Sequence, residues 1–222
     1  MYLIVCPTRL EASILLEKSV RQESDLEIYS LVRLGENIEL LISGIGIHQT
    51  TYTLTKALAR KKYNLVIHIG IAGSFDLNMD LGTVVNIASE TFGDLGIERE
   101  NGFTTIFDLG LANENDFPFT NGKMVNNTPL PEFLEEIPSV QGLTVNSLAT
   151  DDQKNQFRCE YFDIDVESME GAAVFYTCLM EKVDFVEIRA LSNYMGERDK
   201  NQWVIEEAIE ELNEFIVDLV IS

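Results

Sequence analysis

Along the chain, short continuous apolar runs alternate with stretches whose apolar residues recur every three or four positions. Tyr2 to Cys6 is an apolar run closed by Pro7, and it predicts a first strand. Arg9 to Lys18 has helical periodicity. Leu26 to Arg33 and Ile38 to Ser43 predict strands on either side of a Gly35-Glu36-Asn37 turn. Ile47 to Lys61 predicts a helix, and Asn64 to Ile69 a strand apolar on both faces, hence central. Further strands are predicted at Thr83 to Ser89, Leu143 to Ser147, Phe162 to Val166 and Phe185 to Ala190. Helices are predicted at Met169 to Glu181 and at Asn201 to Val220. The last carries Trp203, Ile205, Ile209, Leu212, Phe215, Ile216 and Leu219 on one stripe, with acid opposite. Strands that alternate with helices mean an α/β fold with a mostly parallel sheet. Asp94 to Asn127 breaks the pattern: it is too polar for core and too long for a connection, which predicts a binding loop or an interface.

At 222 residues the chain fits one α/β domain spanning residues 1–222, and no linker, repeat or low-complexity segment divides it. Its 16 basic and 37 acidic residues give a net charge of -21, which argues against nucleic acid and anionic membrane surfaces as partners. An anionic ligand would need a local cation against that field. The 3 cysteines, Cys6, Cys159 and Cys178, have no metal-ligand or redox spacing. Cys6 ends a strand and Cys178 lies in an apolar helix, so both read as core in a reducing, cytoplasmic compartment. No basic segment precedes Leu3-Ile4-Val5, so a signal peptide is not expected, nor is a membrane span.

The candidate chemistry gathers where strands end. Val166 to Val174 reads Val-Glu-Ser-Met-Glu-Gly-Ala-Ala-Val and sets Glu167 and Glu170 where a strand-like run meets a helix. A glutamate there can accept from both hydroxyls of a vicinal diol such as a ribose; acid is also what a helix N-terminus favours through its dipole. Gly171, Ala172 and Ala173 let that helix start approach its neighbours closely. Ser43-Gly44-Ile45-Gly46 opens a helix like half of a dinucleotide fingerprint. Gln49 fills the third glycine position, and Arg60, Lys61 and Lys62 stand where an acidic ribose ligand belongs, so NAD is rejected. His68-Ile69-Gly70-Ile71-Ala72-Gly73-Ser74 is a second glycine-rich turn. Glu11 lies one turn into the first helix, and Ser192 and Asn193 emerge from another strand onto the same rim. With 2 histidines, neither a His-based triad nor a metal cluster is expected, and no cofactor is called for.

In that order, Glu11, the Ser-Gly-Ile-Gly and Gly-Ile-Ala-Gly turns, Met169-Glu170-Gly171-Ala172-Ala173 and Arg189-Ala190-Leu191-Ser192-Asn193 resemble the nucleoside phosphorylase / nucleosidase superfamily over nearly the whole chain. Glu90-Thr91-Phe92-Gly93-Asp94-Leu95-Gly96-Ile97-Glu98 and Ser192 to Asp199 look most like its futalosine hydrolase branch, from menaquinone biosynthesis. The resemblance implies a three-layer α/β/α domain, cleavage of an N-ribosyl bond in a small-molecule nucleoside, and a homodimer or higher homo-oligomer. Ile47 to Leu58 or the Phe103 to Phe119 segment would contribute to the interface. It implies Met169 and Glu170 at the ribose, Glu11 at the attacking water, Asn193 and Ser192 at the base, and Ala72 and Gly73 beside it. His68 and Ile71 stand where the phosphorolytic branch places phosphate ligands, so water is the expected nucleophile. Asn193 suits a 6-oxopurine such as hypoxanthine, because one amide can donate to O6 and accept from N7–H. Aromatics between Phe103 and Phe119, and Arg158 or Arg198, are candidates for the rest of the substrate; surface pairing is the competing role for both arginines. Another purine nucleosidase or phosphorylase, and a silent nucleoside-binding protein on the same fold, remain the alternatives.

Overall fold

The computed structural model describes residues 1–17, 30–99, 102–149, 152–197 and 199–220. A sheet of 9 strands forms its centre. The first half of the chain supplies β1 (Tyr2–Cys6), α1 (Ser13–Glu17), β2 (Leu31–Arg33), β3 (Ile38–Ile42), α2 (Gly46–Arg60), β4 (Leu65–Ser74) and β5 (Val84–Phe92). The second half supplies β6 (Gly96–Arg99), β7 (Gly102–Thr105), β8 (Met124–Val125), β9 (Ser139–Thr144), α3 (Asp152–Phe162), β10 (Val166–Ser168), α4 (Gly171–Glu181), β11 (Phe185–Tyr194) and α5 (Ile205–Val220).

Strand order is β10-β9-β5-β11-β4-β1-β3-β2, with β8 on β5. The pairs around β1 are parallel, as is β4 with β11, whereas β11 with β5 and β2 with β3 are antiparallel. Thus the sheet is mixed. At one end it curls until β10 also pairs antiparallel with β4, closing a ring of strands around the later site.

Both faces of the sheet are covered, which is why its strands read as continuous apolar runs. On β1, Leu3 and Val5 join a core with Leu54 and Ala57 of α2 and Val174, Phe175 and Cys178 of α4. Ile4 and Cys6 point the other way, to Leu15 of α1 and Ala208, Leu212 and Ile216 of α5. The result is three layers, α/β/α. Full burial of each leucine, isoleucine, valine or phenylalanine among them contributes about 1.5–3 kcal/mol.

Several elements differ from their sequence-based bounds. Of the strand expected at Leu26 to Arg33, only Leu31–Arg33 is formed among the described residues. The helix expected from Arg9 begins at Ser13, and Lys18 lies outside the described residues. Phe162 ends α3 instead of opening a strand, and the strand at Val166–Ser168 begins where the expected one stops. The run expected at Leu143 to Ser147 is paired earlier, at Ser139–Thr144. The region after Asp94 contains the β6–β7 hairpin and β8. Toward the C-terminus, α5 starts at Ile205, after a short turn of 3-10 helix at Lys200–Gln202. Within its stripe Ile209, Leu212 and Ile216 are buried, and the side chain of Leu219 lies outside the described residues.

Candidate active site

A cavity of about 660 Å³ opens at the carboxyl ends of β1, β4 and β11, where ligands bind in open α/β sheets. Glu11, Ala72, Gly73, Met169, Glu170, Ser192 and Asn193 all line it. The structure therefore brings these seven residues to one cavity.

Glu11 lies in the turn ahead of α1, not inside that helix. Thr8 folds the chain back on itself there: its hydroxyl accepts from the Glu11 N–H at 3.1 Å and donates to Glu11 Oε2 at 2.5 Å. The Ile71 N–H donates to Oε1 at 3.1 Å. From α5, buried Asn213 donates to the Glu11 carbonyl at 2.7 Å. Both ends of the residue are thus fixed by groups distant in sequence.

Glu170 is the residue before α4, yet its side chain makes no capping bond to that helix. Its Oε1 instead accepts from the Gly46 N–H at 2.9 Å. This contact needs the Gly44 to Gly46 turn, whose two glycines sit at φ +85°, a left-handed conformation that L side chains avoid. The dipole alone therefore does not explain the acid. Burial pushes the Glu170 carboxyl up to about 7, against the pull of Arg189, whose Nη1 lies 3.7 Å from Oε2.

Sequence reasoning gave Arg189 no place at the site. It is fully buried on β11 beneath the cavity. Its Nε donates to Glu187 Oε1 at 2.7 Å, and Nη2 lies 3.3 Å from His68 Nε2. Nη1 faces the Ile71 carbonyl and Glu170. Burial would strip its charge, but Glu187 and Glu170 hold its pKa above the ordinary value. Burial and that same cation bring His68 down to about 4, so the imidazole is neutral. Although burial opposes it, Glu187 stays below the usual carboxylate range because Arg189 and His68 face it. Glu90, buried and close to the charged Glu187, is pushed well up; Thr144 donates to it at 2.8 Å. A charged pair spaced two apart in an otherwise apolar strand was the signal: side chains at i and i+2 share one face.

The glycines of β4 take their meaning from these neighbours. Gly70 to Gly73 is no turn: β4 runs through it to Ser74 and pairs with β11 along its length. A Cβ on Gly70 would overlap Arg189 Nη1 and approach Glu11 Oε1 to 3.1 Å. One on Gly73 would come within 2.5 Å of Met195 Sδ and 3.0 Å of Asn193 Nδ2. Ser192 and Asn193 likewise lie in strand rather than beyond it. The Ser192 hydroxyl is within donating reach of Ala72 O at 3.2 Å and Asn193 Oδ1 at 2.9 Å, which orients the amide.

Other candidates fall elsewhere. Arg158 does not line the cavity; its Nη1 donates to buried Glu167 at 2.8 Å, a stronger tie than surface pairing. Arg198 lies outside the described residues. Phe103 packs on Phe162 and Phe107 on Phe119, none of them lining the cavity that holds Glu11 and Glu170, and Phe117 is exposed. The apolar wall comes instead from Leu10, Ile45, Trp203, Ile205 and Ile209. His68 sits beneath Arg189 and does not reach the cavity, whereas Ile71 does.

Comparison with known proteins places this chain in a class. The chain is 30% identical over 193 residues to the futalosine hydrolase of Acidothermus cellulolyticus, covering 82% of this chain and 74% of that one. With the futalosine hydrolase of Thermus thermophilus it shares 30% identity over 221 residues, 96% of this chain and 92% of the other. The 5'-methylthioadenosine/S-adenosylhomocysteine nucleosidase of Bacillus subtilis is 29% identical over 172 residues, 73% and 70% of the two chains. Among solved structures, native futalosine hydrolase of Helicobacter pylori has a TM-score of 0.77 at 16% identity, covering 99% and 96%. A methylthioadenosine/adenosylhomocysteine nucleosidase from Colwellia psychrerythraea, in complex with adenine, has a TM-score of 0.77 at 20% identity, covering 98% and 93%. No protein-family model matches the chain. Fold and relatives define a nucleosidase, an enzyme that hydrolyses N-glycosyl bonds. Within that class the chain belongs to the futalosine hydrolase family.

Proposed function

We propose that this enzyme hydrolyses the N-ribosyl bond of futalosine, releasing hypoxanthine and dehypoxanthine futalosine, as a cytoplasmic step of menaquinone biosynthesis. The observation that carries the reading is the meeting of Glu11, Glu170 and Arg189 at one cavity that Asn193 also lines.

Breaking the bond leaves positive charge on the sugar and negative charge on the base. Glu170 accepts from the ribose hydroxyls and, ionised, favours the cationic sugar; Met169 packs beside it. Glu11 takes the proton of the attacking water as a general base. Arg189 steadies both carboxylates without leaving the protein interior. The departing base takes up a proton at N7 from solvent water, the equivalent of the one that Glu11 removes from the attacking water; Asn193 Nδ2 donates to its O6 while Oδ1, already oriented by Ser192, accepts from N7–H. Water suits the site better than phosphate. Among the described residues lining the cavity there is no Lys or Arg, whereas Glu11, Glu167, Glu170 and Glu197 line it. A phosphate dianion would meet their field with Arg189 already engaged by Glu187.

The similarity to adenine-releasing relatives keeps a 6-amino purine nucleosidase as the second reading. A product assay on futalosine, aminodeoxyfutalosine, inosine and methylthioadenosine, with and without phosphate, separates the two. Hypoxanthine release from futalosine, unchanged by phosphate and far faster than adenine release from aminodeoxyfutalosine, is expected. Equal kcat/KM for the two futalosines would remove Asn193 as the reader of the base, and binding without turnover would make the protein a silent receptor. The exposed side chains of Leu111, Phe117 and Tyr52, in the segments singled out from the sequence, support a homodimer.

A further inference from the structure

Glu167 takes no part in the steps above, yet it is placed like a ligand-reading group. In the curled end of the sheet, β10, β4 and β11 are consecutive neighbours. Glu167 is aligned with Gly73 on one side, and Asn193 with Gly73 on the other. Residues directly opposite one another on paired strands face the same side of a sheet. The bulge between Leu191 and Asn193 turns Asn193 onto the face of Gly73, where its Nδ2 comes within 3.0 Å of a Cβ built on that glycine, so Glu167 and Asn193 flank Gly73 about 10 Å apart at two strand spacings. Between them lies Met195, whose Sδ occupies the space over Gly73. A thioether there offers a flat ring a polarisable surface to lie against. All four residues line the cavity.

The carboxylate itself is half satisfied. Its Oε2 accepts from Arg158 Nη1 at 2.8 Å, and Arg158 Nη2 donates to the Ser147 carbonyl at 3.3 Å, so that oxygen is anchored. Oε1 is buried and has no hydrogen-bond partner in the protein. Leaving such an oxygen unpaired costs free energy that a ligand N–H can recover.

Taking the site as one for a purine nucleoside, we propose that Glu167 reads the base: its Oε1 accepts the N1–H of a 6-oxopurine whose O6 and N7 lie against Asn193. In a purine ring N1, C6 and N7 follow along one edge, so a single edge spans both residues. A 6-oxopurine carries hydrogen on N1 and offers a donor. A 6-aminopurine has a bare N1 that would set lone pair against carboxylate. Specificity then rests on two residues from two strands, with Arg158 as the positioning residue that turns Oε1 toward the base. Burial holds the Glu167 carboxyl up at about 7 against the pull of Arg158, and an N–H donor on Oε1 favours its charged, accepting form.

The test is competitive inhibition of futalosine hydrolysis by hypoxanthine, 1-methylhypoxanthine and adenine, on the unmodified enzyme and on Glu167→Ala. The unmodified enzyme should bind 1-methylhypoxanthine at least about 100-fold more weakly than hypoxanthine, since a charge-assisted bond is lost and a methyl meets the carboxylate. Glu167→Ala removes both causes and should bring the two within about tenfold. Should that variant fail to fold, Glu167→Gln can turn its N–H₂ toward N1, and its preference for hypoxanthine over adenine should fall at least about tenfold. Equal binding of hypoxanthine and 1-methylhypoxanthine by the unmodified enzyme overturns the proposal, as does discrimination that survives in Glu167→Ala. An enzyme that hydrolyses futalosine but ignores the N1 methyl keeps its function and loses this role for Glu167. One that neither hydrolyses futalosine nor binds hypoxanthine loses both.

Discussion

Glu170 sits where stability and activity pull in opposite directions. Burial raises its carboxyl from 4.5 to about 7, while the proposed chemistry needs it ionised. The folded protein therefore binds this proton more tightly than the unfolded chain does. The stabilisation is fully present below about 4.5 and is lost as pH rises through about 7. A difference of that size corresponds to about 3 kcal/mol. Thermal melts between pH 4.5 and 8 should show stability falling with pH, with a shallower fall in Glu170→Gln; Glu167, raised the same way, keeps part of the slope. Activity should run the other way, climbing as pH rises through about 7. At the optimum, Glu170→Gln and Glu11→Gln should each lower kcat by orders of magnitude, while circular dichroism stays that of the unmodified fold. Near-normal turnover in either variant would remove that residue from the mechanism.

At the scale of elements, the β4–β11 pair and the start of α4 form one packed unit around the buried ions. Arg189 and Glu187 from β11 and His68 from β4 meet Glu90 from β5, and Gly171 lets α4 begin directly against them. Gly171 has an ordinary backbone conformation, so alanine is allowed there by φ. Its Cβ would, however, overlap Glu90 Oε1 and come within 2.7 Å of Glu187 Oε1. Gly171→Ala is accordingly expected to destabilise the fold by about 1–3 kcal/mol. The measurement is the shift in urea midpoint at unchanged slope, and no shift would mean that the carboxylates have room to move. From sequence the glycines of β4 read as a turn because Gly is the commonest punctuation of strands. Here they mark where another strand's side chains occupy the space above the backbone.

For the molecule as a whole, the net charge of -21 on one chain repels itself. Exposed apolar side chains such as Leu111 and Phe117 stand out against that charged surface. A homodimer should give a light-scattering mass near twice the 25.0 kDa of the chain. Added salt should strengthen association by screening repulsion between the acidic subunits. A mass of one chain at micromolar concentration and moderate salt would show that these side chains do not hold two copies together. Among the described residues no helix is long and apolar enough to cross a membrane.

Local patterns carried much of this. The apolar runs of β1 and β4 and the glycine turn at Gly44 and Gly46 are visible within a few residues of sequence, and they follow from nearest-neighbour sterics or from the period of a strand. Glu11, Glu170 and Asn193 were nominated by the resemblance of their motifs, in order, to a known superfamily. The bounds of β10 were less visible, as was α3, whose polar run Asp152–Phe162 carries no clear apolar stripe. Invisible altogether were the partners. Gly46 meets Glu170 across 124 positions, and Arg189 meets His68 across 121. Burial of those charges, and so their protonation, depends on which strands lie side by side. Hence sequence could nominate the carboxylates, whereas only the closed curl of β10, β4 and β11 put Glu167 and Asn193 on one face and set Arg189 beneath them.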